Sequence, residues 1–120
     1  MSLLTYRDHD NRPWGSFNRF TKNEPCTVKL ITVSPDKRLS LQKHSHRSEF
    51  WHIISGSGSA TVGEHEYPAH PGDEFEIPTG TAHRISAGQA GLTFLEIAFG
   101  EFDENDIVRL EDDFGRSDGV

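Results

Sequence analysis

The sequence has one cysteine, Cys26, in 120 residues, so no intramolecular disulfide can form and a cysteine-based zinc site is excluded. Apolar residues make up only 33% of the chain, and no run of them approaches the length of a membrane-spanning helix. The opening residues MSLLTYRDHD lack the apolar core of a secretory signal. Basic residues are outnumbered 12 to 19 by acidic ones, for a formal net charge of −7 with histidine neutral. That balance argues against non-specific nucleic-acid binding, which needs an electropositive footprint. A few arginines inside a cleft can still reverse the local field, so an anionic small molecule remains an acceptable ligand. The absences together lead to the expectation of a soluble cytoplasmic protein with neither a nucleic-acid nor a membrane partner.

The chain does have turn formers, with six prolines and eleven glycines spread along its length. Its length suits one domain over residues 1–120, with a core at about 12–100 and a tail at 101–120. Residues 1–11 are polar and read as a loose arm. The β-branched run CTVKLITV at 26–33 reads as a strand ending at Ser34-Pro35-Asp36. Residues 38–44 alternate, with Leu39 and Leu41 on one face and Gln42 and His44 on the other. Further strands are expected at 49–55, closed by Gly56-Ser57-Gly58, and at 59–62, 65–67, 74–77, 82–86 and 92–99. Gly63-Glu64 suits a type II′ hairpin turn. About eight short strands at this spacing predict an all-β sandwich or barrel, and an eight-strand jelly roll closes it. The tail is expected to be irregular, or to hold one helical turn around 106–110.

Seven histidines are present, and three of them, with Gln42 and Glu49, crowd into QKHSHRSEFWH. Gln42, His44 and His46 share parity, so a continuous strand would point them the same way. Glu49 has the opposite parity and can join them only if the strand breaks or turns near Ser45 to Ser48. His83 comes from another strand, just after Pro78-Thr79-Gly80. Imidazoles and a carboxylate brought together from separate strands form a mixed nitrogen and oxygen site for a borderline divalent metal. His9, His65 and His70 sit in a polar arm, a hairpin and a Pro-rich turn, and read as surface residues.

Residues 42–56 and 72–83 resemble the two cupin motifs. Glu49, six residues and Gly56 fit the end of the first, and four residues lie between His44 and Glu49. Gly72, Pro78, Gly80 and His83 fit the second, although Ala87 stands where its usual Asn would be. The resemblance implies a cupin double-stranded β-helix, a jelly-roll barrel. It also implies one divalent metal ion (Zn, Mn, Co, Ni or Fe) on Gln42, His44, Glu49 and His83. Ligand chemistry alone prefers His46 to the neutral amide of Gln42. A Gln-His-Glu-His set, however, is similar to that of zinc phosphomannose isomerases, and it would make His46 a proton shuttle or a substrate contact.

Further stretches narrow the resemblance: Arg12-Pro-Trp-Gly-Ser-Phe, Val28-Lys29-x-Ile-Thr-Val-x-Pro, and Leu39-Ser-Leu-Gln-x-His-x-His-Arg-x-Glu-x-Trp51. Ile77-Pro-x-Gly-x-x-His-Arg84 and Asp106-Ile-Val-Arg-x-Glu-Asp-x-x-Gly-Arg116 add to them. Together they resemble the isomerase domain of the type II mannose-6-phosphate isomerases, the bifunctional mannose-1-phosphate guanylyltransferase/mannose-6-phosphate isomerase family. The nucleotidyltransferase half and its Gly-rich phosphate loop are absent from this sequence.

The resemblance implies interconversion of mannose 6-phosphate and fructose 6-phosphate by proton transfer through a cis-enediolate. A base, a charge on the oxyanion and cations for the phosphate are then required. Lys29, His46, Arg84 and Glu96 are the catalytic candidates, and Arg12, Trp14, Arg47 and Trp51 the substrate-binding ones. Each has a plainer alternative. Trp51 suits core packing as well as a sugar wall, Arg47 suits an ordinary turn, Lys29 suits solvent, and Glu96 suits a surface ion pair. His52 alternates away from Trp51 and is expected to face outward. A homodimer is the family's habit. Two other functions stay open: a non-catalytic sugar- or sugar-phosphate-binding cupin, and an Fe(II) cupin dioxygenase.

Overall fold

In the computed structural model, which describes residues 3–116, two long strands organise everything else. These are β5 (Arg47–Val62) and β8 (His83–Gly100). They pair antiparallel along most of their length, with register shifts between Ile53 and Ser55 and between Gly56 and Gly58. The first half of β5 also pairs with β7 (Glu74–Ile77), and the second half with β6 (His65–Ala69). Likewise β8 pairs with β3 (Thr27–Val33) at one end and with β4 (Leu41–Lys43) at the other. The described residues contain no helix. This is the all-β jelly roll that the strand spacing predicts.

The segments expected at 49–55 and 59–62 are one bent strand, as are those at 82–86 and 92–99. Glycine bends the ladder here without ending it. A Cβ on Gly56 would lie 2.1 Å from the Gly91 carbonyl oxygen, and one on Gly58 would lie 1.9 Å from that of Ser86. Only glycine permits such an approach of backbone to backbone. The Gly63-Glu64 hairpin forms as expected, with Val62 opposite His65 and Gly63 at φ 63°, as a type II′ turn requires.

Three expectations are corrected. The strand expected over 38–44 shortens to β4, with only an isolated bridge between Arg38 and Ser86 before it. The tail holds no helical turn around 106–110. Val108–Glu111 instead forms β9, which pairs with the free edge of β4. A helix of one turn has an unfavourable nucleus, and the waiting strand edge outcompetes it. The N-terminal arm is not loose either. Asp8–Arg12 and Gly15–Arg19 form a hairpin, β1 and β2, separate from the main sheet. Its residues face solvent on both sides, so no apolar alternation announced it.

The core is in two parts. Inside the barrel lie Trp51, Ile53, Phe94, Ile85, Ile77 and Leu92. On the outer face of the sheet, Phe50 and Ile97 are covered by Leu4, with Leu3, Phe20 and Cys26 packed around them. Arg7 secures this cover through a two-bond pair with Glu74, which also accepts from His52 Nδ1 at 2.7 Å. His52 therefore faces outward, as parity indicates. Leu4 is only 3% exposed, and Leu4→Ala is expected to cost about 2–3 kcal/mol in chemical denaturation. The exposed neighbour substitution Thr5→Ala should stay within about 0.5 kcal/mol. Equal small effects would mean that the arm does not pack.

Candidate metal centre

The break that Glu49 needs lies at residues 44–46, between the end of β4 and the start of β5. There the backbone turns, so His44 and Glu49 meet despite their opposite parity. His83 opens β8 directly across from Gln42. The Pro78-Thr79-Gly80 turn is tied back by Gly80, whose N–H donates to the His44 carbonyl at 2.8 Å. The two sequence motifs are thus joined through the backbone before any side chain is considered.

His44, Glu49 and His83 are all buried, and their ligand atoms lie within 4.8 Å of one another. His44 Nε2 is 3.3 Å from Glu49 Oε2, and His83 Nε2 is 3.4 Å from Glu49 Oε1. The outer ring nitrogens set the tautomers. Nδ1 of His44 meets the Asp106 carbonyl oxygen at 2.6 Å, and Nδ1 of His83 meets that of Thr81 at 2.9 Å. A carbonyl can only accept, so each Nδ1 carries the proton and each Nε2 turns a lone pair inward. Burial is the largest influence on both imidazoles and holds them below the ordinary histidine value. They are neutral, which is the state a metal ligand requires.

Two lone pairs therefore face one carboxylate, an arrangement of acceptors against acceptors. Among the described residues, the buried His83 Nε2 has no hydrogen-bond partner. A divalent cation is what such a donor set fits, with nitrogen and oxygen ligands suited to a borderline ion.

Around the three acceptors stand the other expected residues. Arg47 is buried, donating from Nε to Glu49 Oε2 at 3.1 Å and from Nη2 to His44 Nε2 at 3.1 Å. Its guanidinium also lies over the Phe102 ring and donates to the Asp103 carbonyl. It is no ordinary turn residue. Trp51 is fully buried and does both things open to it. It packs edge-on against Phe94 and His83, and its indole N–H donates to Glu49 Oε1 at 3.2 Å. Glu96 lies opposite both Trp51 and Lys29 in the sheet and faces the interior. Burial, together with the charge of Glu49 and a hydrogen bond to it, pushes its carboxyl up to about 8. Lys29 shares this inner face, and its Nζ meets Glu104 at 3.0 Å and the Phe102 ring at 4.7 Å.

Other expected residues are placed elsewhere. Gln42 faces the site from β4, and its amide oxygen accepts from the Ser40 hydroxyl at 2.9 Å. His46 is exposed, with its N–H donated to Asp106. Arg84 follows His83 on the strand and so points to the other face. There it donates to the Leu39 carbonyl and pairs with Glu111 at 2.8 Å. Arg12 is exposed and pairs with Asp10, and Trp14, 73% exposed, sits in the β1–β2 turn. Neither lines the centre, because their hairpin stands off the main sheet. The tail residues Phe102, Asp103, Glu104 and Asp106 reach the site unannounced. Their only signal was the stretch beginning at Asp106, to which the sequence reading attached no role.

Known proteins resemble this chain in sequence and in fold. The family described as "Mannose-6-phosphate isomerase C-terminal" matches residues 2–112. Xanthan biosynthesis protein XanB of Xanthomonas campestris is 39% identical over 97% of this chain, which spans 25% of that protein. The chain thus spans about a quarter of the length of the curated relatives it matches. A putative sugar phosphate isomerase from Acidithiobacillus ferrooxidans is 31% identical with a TM-score of 0.58, over 65% of this chain and 51% of that one. A cupin 2 conserved barrel domain protein from Rhodopseudomonas palustris shares the fold, with a TM-score of 0.59 at 23% identity, over 68% of this chain and 56% of that one. This chain has the cupin fold and belongs to the mannose-6-phosphate isomerase C-terminal family.

Proposed function

We propose that the chain is a metal-dependent sugar-phosphate isomerase acting on mannose 6-phosphate and fructose 6-phosphate. The observation that carries this reading is one interior face holding the His44, Glu49 and His83 acceptors, the cations Lys29 and Arg47, and the buried carboxyl of Glu96. A divalent ion held by His44, Glu49 and His83, with Gln42 as the fourth ligand, supplies Lewis-acid polarisation of the sugar oxygens. Lys29 and Arg47 are the cations for phosphate or oxyanion, the first as a point charge and the second as a planar fork. Glu96 is the group that carries the proton between C1 and C2, since a carboxyl tuned towards neutral pH can both take and return it. His46, exposed beside the ligands, is the alternative shuttle. Trp51 acts through Glu49, which it orients.

A second reading, a non-catalytic sugar-phosphate-binding cupin, draws on the engagement of Lys29 by Glu104 and of Arg84 by Glu111. Either reading places the protein in the cytoplasm. The described residues contain no helix long and apolar enough to cross a membrane. A homodimer accompanies the proposal. Its support is β3, which among the described strands pairs only with β8 and carries Val28 and Leu30, 55% and 65% exposed.

Purified protein loaded with Zn, Mn or Co should convert mannose 6-phosphate to fructose 6-phosphate. A lack of turnover with every metal, alongside measurable binding of the sugar phosphate, would favour the binding reading. Metal analysis should find about one divalent ion per chain. His44→Ala and His83→Ala should each abolish that stoichiometry while His65→Ala keeps it, and retention by the first two would refute the site.

Glu96 predicts a pH effect in chelator-treated protein. Its folded value of about 8 exceeds the ordinary 4.5, so between the two the folded chain holds a proton that the unfolded chain has lost. The resulting stability is full below about 4.5 and is lost progressively as pH rises to about 8. Wild type should therefore lose more stability than Glu96→Gln between about pH 5 and pH 8. The histidine contributions are common to both proteins, and identical slopes would remove Glu96 from the interior.

A further inference from the structure

We propose that Asp106 is a positioning residue for the metal centre, holding His44 in its ligand orientation from outside the barrel. The inference rests on the metal reading of the site. His44 lies in the break between β4 and β5, where the sheet ladder supplies no partners for residues 44–46. Asp106 supplies them. One carboxylate oxygen accepts from the Ser45 N–H at 2.8 Å, and the other accepts from the His46 N–H at 2.9 Å. Its main-chain carbonyl takes the Nδ1 proton of His44 at 2.6 Å. One residue thus fixes the backbone that carries the ligand, the ring's orientation and its tautomer.

Asp106 is itself held on both sides. Its N–H donates to the Asp103 carbonyl at 3.0 Å, and two residues later Val108 enters β9 opposite Lys43 of β4. The tail therefore returns to the strand that ends just before His44. The carboxylate gives each of the two adjacent backbone N–H groups its own charged oxygen. Partners of this kind behind a metal-bound imidazole typically matter by about 10–100-fold in metal affinity.

The test is Co(II) titration of metal-free protein, reading both the dissociation constant and the visible absorption of the bound ion. Asp106→Ala leaves its own carbonyl on His44 Nδ1 and removes only the two carboxylate acceptors, so it should weaken Co(II) binding measurably, by up to about 10–100-fold, and alter the absorption bands. Asp106→Asn keeps one acceptor and should recover part of the loss. Both metal-free variants should melt within a few degrees of wild type. Asp106→Ala binding Co(II) with wild-type affinity and spectrum would overturn the proposal. If Asp106→Ala does not fold, Asp106→Asn decides. Weakened binding at an unchanged melting temperature supports the role, and wild-type binding overturns it. Wild-type protein that binds no Co(II) would overturn the metal reading and this inference together, a result distinct from equal binding by wild type and variant.

Discussion

Glu49 is a carboxylate only 1% exposed in a chain that already carries excess negative charge. Removing such a group from water costs several kcal/mol unless partners offset it. The interior is arranged to provide them. Arg47 donates to one oxygen, Trp51 donates to the other, and the neighbouring Glu96 keeps its proton instead of adding a second charge. The two imidazoles add nothing to this compensation, because their inward nitrogens are acceptors. Their approach to Glu49 makes sense as a ligand set and not as a hydrogen-bond network.

Holding that set requires a backbone that bends without losing its ladder. The close approach of β5 and β8 at Gly56 and Gly58 lets the two long strands bend and stay paired on either side of the bend. Glu49, Trp51 and Glu96 then come from one half of the barrel, while His83 and Gln42 come from the other. The outer surface is completed by chain ends. Leu4 and Arg7 cover Phe50 and Ile97, and the 101–106 segment lies against Arg47 and Lys29. Both ends pack against strands that also carry the site, so cover and chemistry share a scaffold.

Much of the centre was legible in the sequence. Residue types crowded His44 and Glu49 together, and the resemblance to the cupin motifs singled them out with His83. The required break near residues 45–48 followed from parity, since side chains on a strand alternate strictly. What was not legible depended on partners distant in the chain. Arg84 sits beside His83 in sequence, yet alternation puts it on the other face, where Glu111 is within reach. Arg12 and Trp14 belong to a hairpin that stands apart, and nothing in its polar pattern indicated where it would go. The 108–111 segment carried a pattern compatible with a helical turn until the edge of β4 was available to it.

The sequence by itself determined the central strands, most of the turns and, through the cupin motifs, three converging metal-ligand candidates. These rest on local rules: glycine where the backbone bends, alternation along strands, and donor types at motif spacing. Tertiary structure decided which cations face the centre, how far Glu96 is pushed towards neutrality, and that Asp106 stands behind His44. Those properties depend on burial and on pairs of residues tens of positions apart, which no local pattern encodes.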